Sequence, residues 1–140
     1  MNYGFIKVAS AVPSVKVADC KYNVEQIEQQ IILAEGQGVE IIVFPELSLT
    51  GYTCQDLFRQ NLLLETTESA MLMLLDFTRQ LNIISIVGLP IAVGDLLLNC
   101  AAIIQKGQIL GIVAKEYLPN YNEFYEKRWF ASVQDLRTTE

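Results

Sequence analysis

The sequence predicts an α/β domain in which helices pack on a sheet. Short apolar runs rich in β-branched residues alternate with longer segments of helical periodicity, the mark of α/β layering. Of the 140 residues, 51% are hydrophobic and 19% are charged, a balance that supports a packed core and argues against disorder. The length suits one domain.

Residues 5–12 form an apolar, β-branched run closed by Pro13, which predicts a buried strand. Residues 19–34 place Val24, Ile27 and Ile31 at helical spacing between Glu and Gln, and Gly36 and Gly38 end that helix. Residues 39–44 are continuously apolar, as in a central strand, and Pro45 closes the run. A short helical turn over 55–61 precedes a long helix over 62–81, with Leu64, Met71, Leu74, Leu75 and Leu81 as its core candidates. Residues 83–89 are a third strand. Leu96–Gln105 and Gln108–Ala114 flank Lys106-Gly107 and read as a hairpin, with glycine supplying the permissive turn residue. Beyond Lys115 the pattern breaks into loop chemistry, and 132–140 is polar and lacks a strong element.

Several function classes are disfavoured. The net charge is −6 and the basic residues do not cluster, so nucleic acid is not the expected partner. There is no histidine, which excludes a Ser/His or Cys/His nucleophile pair within these residues. Cys20, Cys54 and Cys100 are too widely spaced for a zinc site or a disulfide framework, so no metal is expected and a reducing, cytoplasmic setting is. The start lacks a signal-peptide layout. The most apolar stretch, 83–102, is interrupted by Pro90, Gly94, Asp95 and Asn99, as two strands are and a membrane helix is not.

Three segments carry chemistry. In Phe44-Pro45-Glu46-Leu47, a carboxylate follows a buried strand at the sheet end where α/β folds place ligands. Phe44 and Leu47 would desolvate Glu46 and favour its neutral form, as suits a general base. Lys115 ends a hairpin strand, where its ammonium could stabilise an oxyanion or simply extend into solvent. Glu116 next to it points to the opposite face and is no obvious partner for the lysine. Tyr121-Asn122-Glu123-Phe124-Tyr125-Glu126-Lys127-Arg128-Trp129-Phe130 is unusually aromatic for a loop, as a pocket wall, a packed loop or a protein contact would be.

Taken together, F-P-E-L-x-L-T-G-Y followed downstream by K-x-Y-L-P-N-Y-x-E-F-Y-E-x-R resembles the nitrilase (carbon–nitrogen hydrolase) superfamily. The second segment and the opening Tyr3-Gly4-Phe5-Ile6-Lys7-Val8-Ala9 look like the glutaminase domains of glutamine-dependent NAD synthetases. The resemblance spans residues 4–130. It implies the N-terminal part of an α-β-β-α sandwich over residues 1–140, in a family that is commonly homo-oligomeric through its helical layers. It also implies a Glu-Lys-Cys catalytic set. Glu46 would be the base, Lys115 would hold the oxyanion, and Glu126 would orient the lysine. Tyr121 would bind the glutamine side of the substrate, with Phe124 and Tyr52 lining the pocket.

The implied cysteine stands in a C-x-D turn well after the lysine segment, so the nucleophile-bearing remainder is expected outside these residues. Cys54-Gln55-Asp56 has the C-x-D form but precedes Lys115 and reads as an exposed turn, so it is not taken as the nucleophile. No phosphate-binding G-x-x-x-x-G-K-[ST] occurs, so ATP and Mg are expected in an absent synthetase domain and no cofactor in these residues. The implied activity is glutamine hydrolysis supplying ammonia for ATP-dependent amidation of nicotinic acid adenine dinucleotide. The other two readings are a stand-alone amidase acting on a small amide or N-carbamoyl substrate, and a non-catalytic interaction module.

Overall fold

In a computed structural model the described residues are 3–136, and the end of the polar 132–140 segment lies outside them. The strands are β1 (Val8–Ser10), β2 (Ile41–Val43), β3 (Ile84–Val93), β4 (Leu96–Gln105) and β5 (Gln108–Ala114). The helices are α1 (Cys20–Gly36) and α2 (Asn61–Phe77). The sheet runs β1-β2-β3-β4-β5. β1, β2 and β3 pair in parallel, as strands joined by helical crossovers must, whereas β3-β4 and β4-β5 are antiparallel hairpins. The predicted order is therefore observed.

Asp19 caps α1 by accepting the Tyr22 N–H at 3.0 Å. Val24, Ile27 and Ile31 are fully buried, on the stripe the periodicity predicts. At the far end, Glu35 accepts the N–H groups of Asn82 and Ile83 and ties α1 to the start of β3. The predicted 62–81 helix ends earlier, at Phe77, and continues as a 3₁₀ turn over Thr78–Gln80. Its buried stripe is Leu63, Thr67, Ala70, Met71 and Leu74, so Leu63 takes the core position assigned to Leu64, while Leu64, Leu75 and Leu81 are half-buried. In the second hairpin Lys106 and Gly107 both adopt positive φ, 50° and 75°, which matches the right-handed twist of the strands they join.

β3 continues beyond the expected stop at residue 89. Pro90 sits within it opposite Asn99, four residues past the last β2 partner, Ile86. On its β2 side the strand is an edge there, where a missing N–H costs no ladder bond.

The first strand departs from expectation. Only Val8–Ser10 is paired, and Phe5, Ile6, Val8 and Val12 are exposed. The apolar pattern is real, but β1 is an edge strand and the sheet is covered on one face only. On the helix side Ile42, Val87, Ala102 and Ile104 are buried, while Val43 and Val113 on the other face are exposed. Bare apolar sheet surface and an open edge promote association. The isolated 140-residue chain is expected to self-associate, and Val43→Lys with Val113→Lys to reduce it. Light scattering across a concentration series checks this, and a clean wild-type monomer at high concentration would refute it.

Candidate active site

The segment after β2 is shaped by its contact with β3. Gly88 stands where a Cβ would lie 2.3 Å from the Leu47 amide nitrogen and 3.0 Å from both Glu46 C and Pro45 O. Only a residue without a side chain lets the turn settle on the strand. The turn is then stitched down: Gly88 N–H donates to Ser48 Oγ (3.1 Å), and Leu49 N–H donates to Gly88 O (3.0 Å). Leu47, fully buried, holds a left-handed φ of 52°. That conformation is uncommon for a residue with a Cβ and persists only where its surroundings enforce it. Fully buried Asn23 adds a brace from α1, donating to Leu49 O and Lys16 O and accepting the Lys16 N–H.

This frame turns Glu46 toward Lys115, at the end of β5. Lys115 Nζ donates to Glu46 Oε1 at 2.8 Å and to Glu126 Oε1 at 2.9 Å. One ammonium thus bridges carboxylates from two distant loops. Asn99, buried in β4, donates its Nδ2–H to the same Glu46 oxygen. Val43, Gly88 and Val113 join Glu46, Lys115 and Asn99 around an open cleft of about 320 Å³.

The two carboxylates sit differently. The Glu126 side chain is 3% exposed and that of Glu46 41%. Phe44 and Leu47 do turn into the core, but the expected desolvation does not reach the Glu46 carboxylate, which faces the cleft beside the ammonium. For Lys115, burial alone would lower the pKa. The hydrogen bonds and charges of Glu46 and Glu126 outweigh burial and hold it above the ordinary lysine value. Burial first, then the Glu126 and Glu46 carboxylates, push the Tyr52 phenol up against the opposing pull of Lys115, which locates Tyr52 beside the group. Glu126 Oε2 is buried without a hydrogen-bond partner.

Of the six residues singled out, Glu46, Lys115, Glu126 and Tyr52 converge. Tyr121 and Phe124 pair edge-to-face at 5.8 Å on the loop leading to Glu126, with Tyr121 63% exposed. Glu116 accepts from the Gln134 side-chain amide, and the Lys115 ammonium pairs with Glu46 and Glu126. Asn99 and Gly88 belong to none of the three segments that carry chemistry in the sequence. An asparagine inside an apolar strand must find a hydrogen-bond partner, and that was the available signal.

The cysteines lie apart from this chemistry. The turn around Cys54 is exposed as expected, but the cysteine itself is buried and donates its thiol to Thr50 O and Gly51 O. Burial pushes its pKa up. Cys20 begins α1 and is buried. Cys100 neighbours Asn99 but faces the opposite, helix-covered side of β4, where burial pushes its thiol up to about 11.

Comparison with known proteins agrees with this geometry. The carbon–nitrogen hydrolase family profile matches residues 7–139. The glutamine-dependent NAD(+) synthetase of Mycobacterium leprae (strain TN) is 35% identical over 138 residues, 99% of this chain and 20% of that protein. The enzyme of the same name from Aquifex aeolicus (strain VF5) is 41% identical over 119 residues, 85% of this chain and 21% of that protein. The crystal structure of a glutamine-dependent NAD(+) synthetase from Cytophaga hutchinsonii superposes with a TM-score of 0.85 at 31% identity, covering 91% of this chain and 22% of that one. The chain therefore spans about a fifth of the length of these relatives. A family match over almost the whole chain, on a fold that brings a lysine between two glutamates, establishes that this chain belongs to the carbon–nitrogen hydrolase family.

Proposed function

We propose that these residues form the base and oxyanion half of a glutamine amidohydrolase site, which supplies ammonia to an ATP-dependent synthesis of NAD. The observation that carries this is the Lys115 ammonium held at 2.8 and 2.9 Å between Glu46 and Glu126 at the mouth of the cleft. The relatives' names supply the substrate and the product.

In this reading Glu46 accepts the proton of an attacking thiol and returns it to the departing amide nitrogen, so that ammonia leaves and an acyl-thioester remains for water to hydrolyse. Lys115 stabilises the oxyanion formed when the thiolate adds to the amide carbon. Glu126 holds the lysine in place. Tyr52, Tyr121 and Phe124 shape the substrate side. Cys54 and Cys100 are buried with raised thiol pKa values, and Cys20 is buried at the start of α1, so the nucleophile comes from outside these 140 residues. ATP and Mg would also act elsewhere in the parent protein. The sequence has no phosphate loop, and among the described residues no group of three or more His, Cys, Asp or Glu side chains could hold a metal.

Partners in this reading are L-glutamine, a synthetase domain of the same parent and further copies of the chain. Three free cysteines fit a reducing, cytoplasmic setting, and among the described residues no helix is long and apolar enough to cross a membrane.

Ammonia release from glutamine tests the proposal. The full-length protein containing this segment is expected to hydrolyse glutamine, and Glu46→Gln to lower the rate by about 10²–10⁴-fold. The 140-residue chain alone is expected to release no ammonia above a blank. Full activity in Glu46→Gln would overturn the assignment of the base, and Glu46-dependent release by the short chain would overturn the assignment of an outside thiol.

A further inference from the structure

Cys54-Gln55-Asp56 stands out in the sequence, and the proposed chemistry leaves it unused. Its aspartate is nevertheless an exposed carboxylate with three hydrogen bonds outside the site. Asp56 Oδ1 accepts from Arg128 Nε at 3.1 Å and from Trp129 Nε1 at 3.1 Å, and Oδ2 accepts from Arg128 Nη2 at 3.2 Å. From the same 3₁₀ turn (Gln55–Arg59), Arg59 Nη2 donates to Arg128 O at 2.6 Å. Beneath these polar contacts, Phe58 packs on Phe130 at 4.9 Å and on Trp129 at 6.4 Å.

The segment gripped in this way is the one that carries Glu126. The N–H groups of Trp129 and Phe130 donate to Glu126 O at 3.1 and 2.8 Å, so residues 126–130 form one hydrogen-bonded turn. Glu126 projects from one end of it onto Lys115, and Arg128 and Trp129 hold Asp56 at the other. The Gln55–Arg59 turn also follows closely on the Glu46 loop. The Gln55–Arg59 turn therefore touches the stretch of chain that presents Glu126 to Lys115.

We infer that Asp56 is a positioning residue, which grips Arg128 and Trp129 and thereby holds Glu126 against Lys115. An exposed ion pair contributes little stability. Its effect here is geometric: the two-pronged arginine contact and the indole N–H fix the orientation of the turn, while the Phe58 and Phe130 rings supply the apolar packing. The structural inference stands on these contacts, and its catalytic consequence rests on the amidohydrolase reading above.

Trp129 is the only tryptophan in the chain, so its emission reports the clasp directly. The Lys115 titration, followed by side-chain NMR, reports the other end, where Glu46, Glu126 and the Tyr52 phenol are the titratable groups facing the ammonium. Asp56→Ala is expected to change Trp129 emission and to lower the Lys115 midpoint by on the order of one pH unit. Asp56→Asn, which keeps an oxygen acceptor for the indole, should fall between Asp56→Ala and wild type. Asp76→Ala breaks the similarly exposed Asp76–Arg79 pair at the end of α2 and the 3₁₀ turn after it, and should do neither.

A Trp129 response with an unmoved Lys115 midpoint would overturn the proposal and leave Asp56 a local surface tie. No response at either probe would overturn it as well, and so would loss of far-UV circular dichroism in both Asp56 variants, which would make Asp56 a folding residue. Because neither readout is activity, an inactive full-length protein whose Lys115 still responds would refute the amidohydrolase reading alone.

Discussion

Replacing Lys115 with methionine is expected to destabilise the chain by about 2–3 kcal/mol near neutral pH, although the new side chain is apolar and close in length. The cost comes from what is left behind. Glu126 is 3% exposed, its Oε1 faces Lys115 at 2.9 Å, and its Oε2 has no hydrogen-bond partner. Without the ammonium, the site holds a buried carboxylate that has lost its ion-pair partner, next to a second one. Removing one partner of a fully buried pair costs about 3–5 kcal/mol. The partial exposure of Lys115 and Glu46, 30% and 41% by side chain, sets the expectation lower.

The pH dependence gives a separate signature. In the wild type the Lys115 pKa is raised, so its contribution is fully present below the ordinary lysine value of about 10.4 and is lost as pH rises through the higher folded value. In Lys115→Met this loss at high pH should be absent, because the titrating ammonium is gone. Urea unfolding of both proteins across pH measures this. Equal stability of the two at neutral pH would show that Glu126 finds compensation elsewhere.

Gly88→Ala is the second large effect. One methyl group would need to occupy space 2.3 Å from Leu47 N, and the three nearest atoms, Leu47 N, Glu46 C and Pro45 O, are all backbone. No flexible side chain can swing aside, so the turn bearing Glu46 must lift off β3. Overpacking of this kind costs about 1–3 kcal/mol. The displacement also strains the Gly88–Ser48 and Leu49–Gly88 hydrogen bonds and carries Glu46 away from Lys115. A misplacement near 1 Å costs on the order of 10²-fold in rate, so glutamine hydrolysis by the full-length protein should fall by that factor. Gly111→Ala is the control: nothing lies within 4 Å of its added Cβ, and its stability should stay within about 0.5 kcal/mol of wild type. An unchanged unfolding midpoint in Gly88→Ala would mean that the turn has slack the packing does not show.

Both predictions concern groups whose surroundings could not be read from local pattern. Glu46 and Lys115 were visible as a pair because each sits at a strand end in a motif. The wall that holds them was not. Nothing local distinguishes Gly88 from any other strand glycine, or Asn99 from the other residues that interrupt 83–102; the sheet places both beside the Glu46 turn. Local pattern gives Asp56 no role beyond a C-x-D form in the wrong place, because its partners are 72 and 73 residues away in the sequence. The burial of Phe5 and Val8 was overestimated because an apolar run does not reveal whether its sheet is covered on one face or two.

The sequence by itself determined the order of elements, the stripe of α1, the second hairpin and its turn, and the two ionic residues on which the proposed chemistry rests. These follow from short-range rules: side-chain periodicity, φ preference and the placement of proline and glycine. The tertiary structure alone decided that Lys115 bridges Glu46 and Glu126, that Asn99 shares the Glu46 oxygen, and that the Gln55–Arg59 turn grips the loop carrying Glu126. Those contacts join residues far apart in the chain, and their distances are set by how the sheet, the helices and the loops pack together.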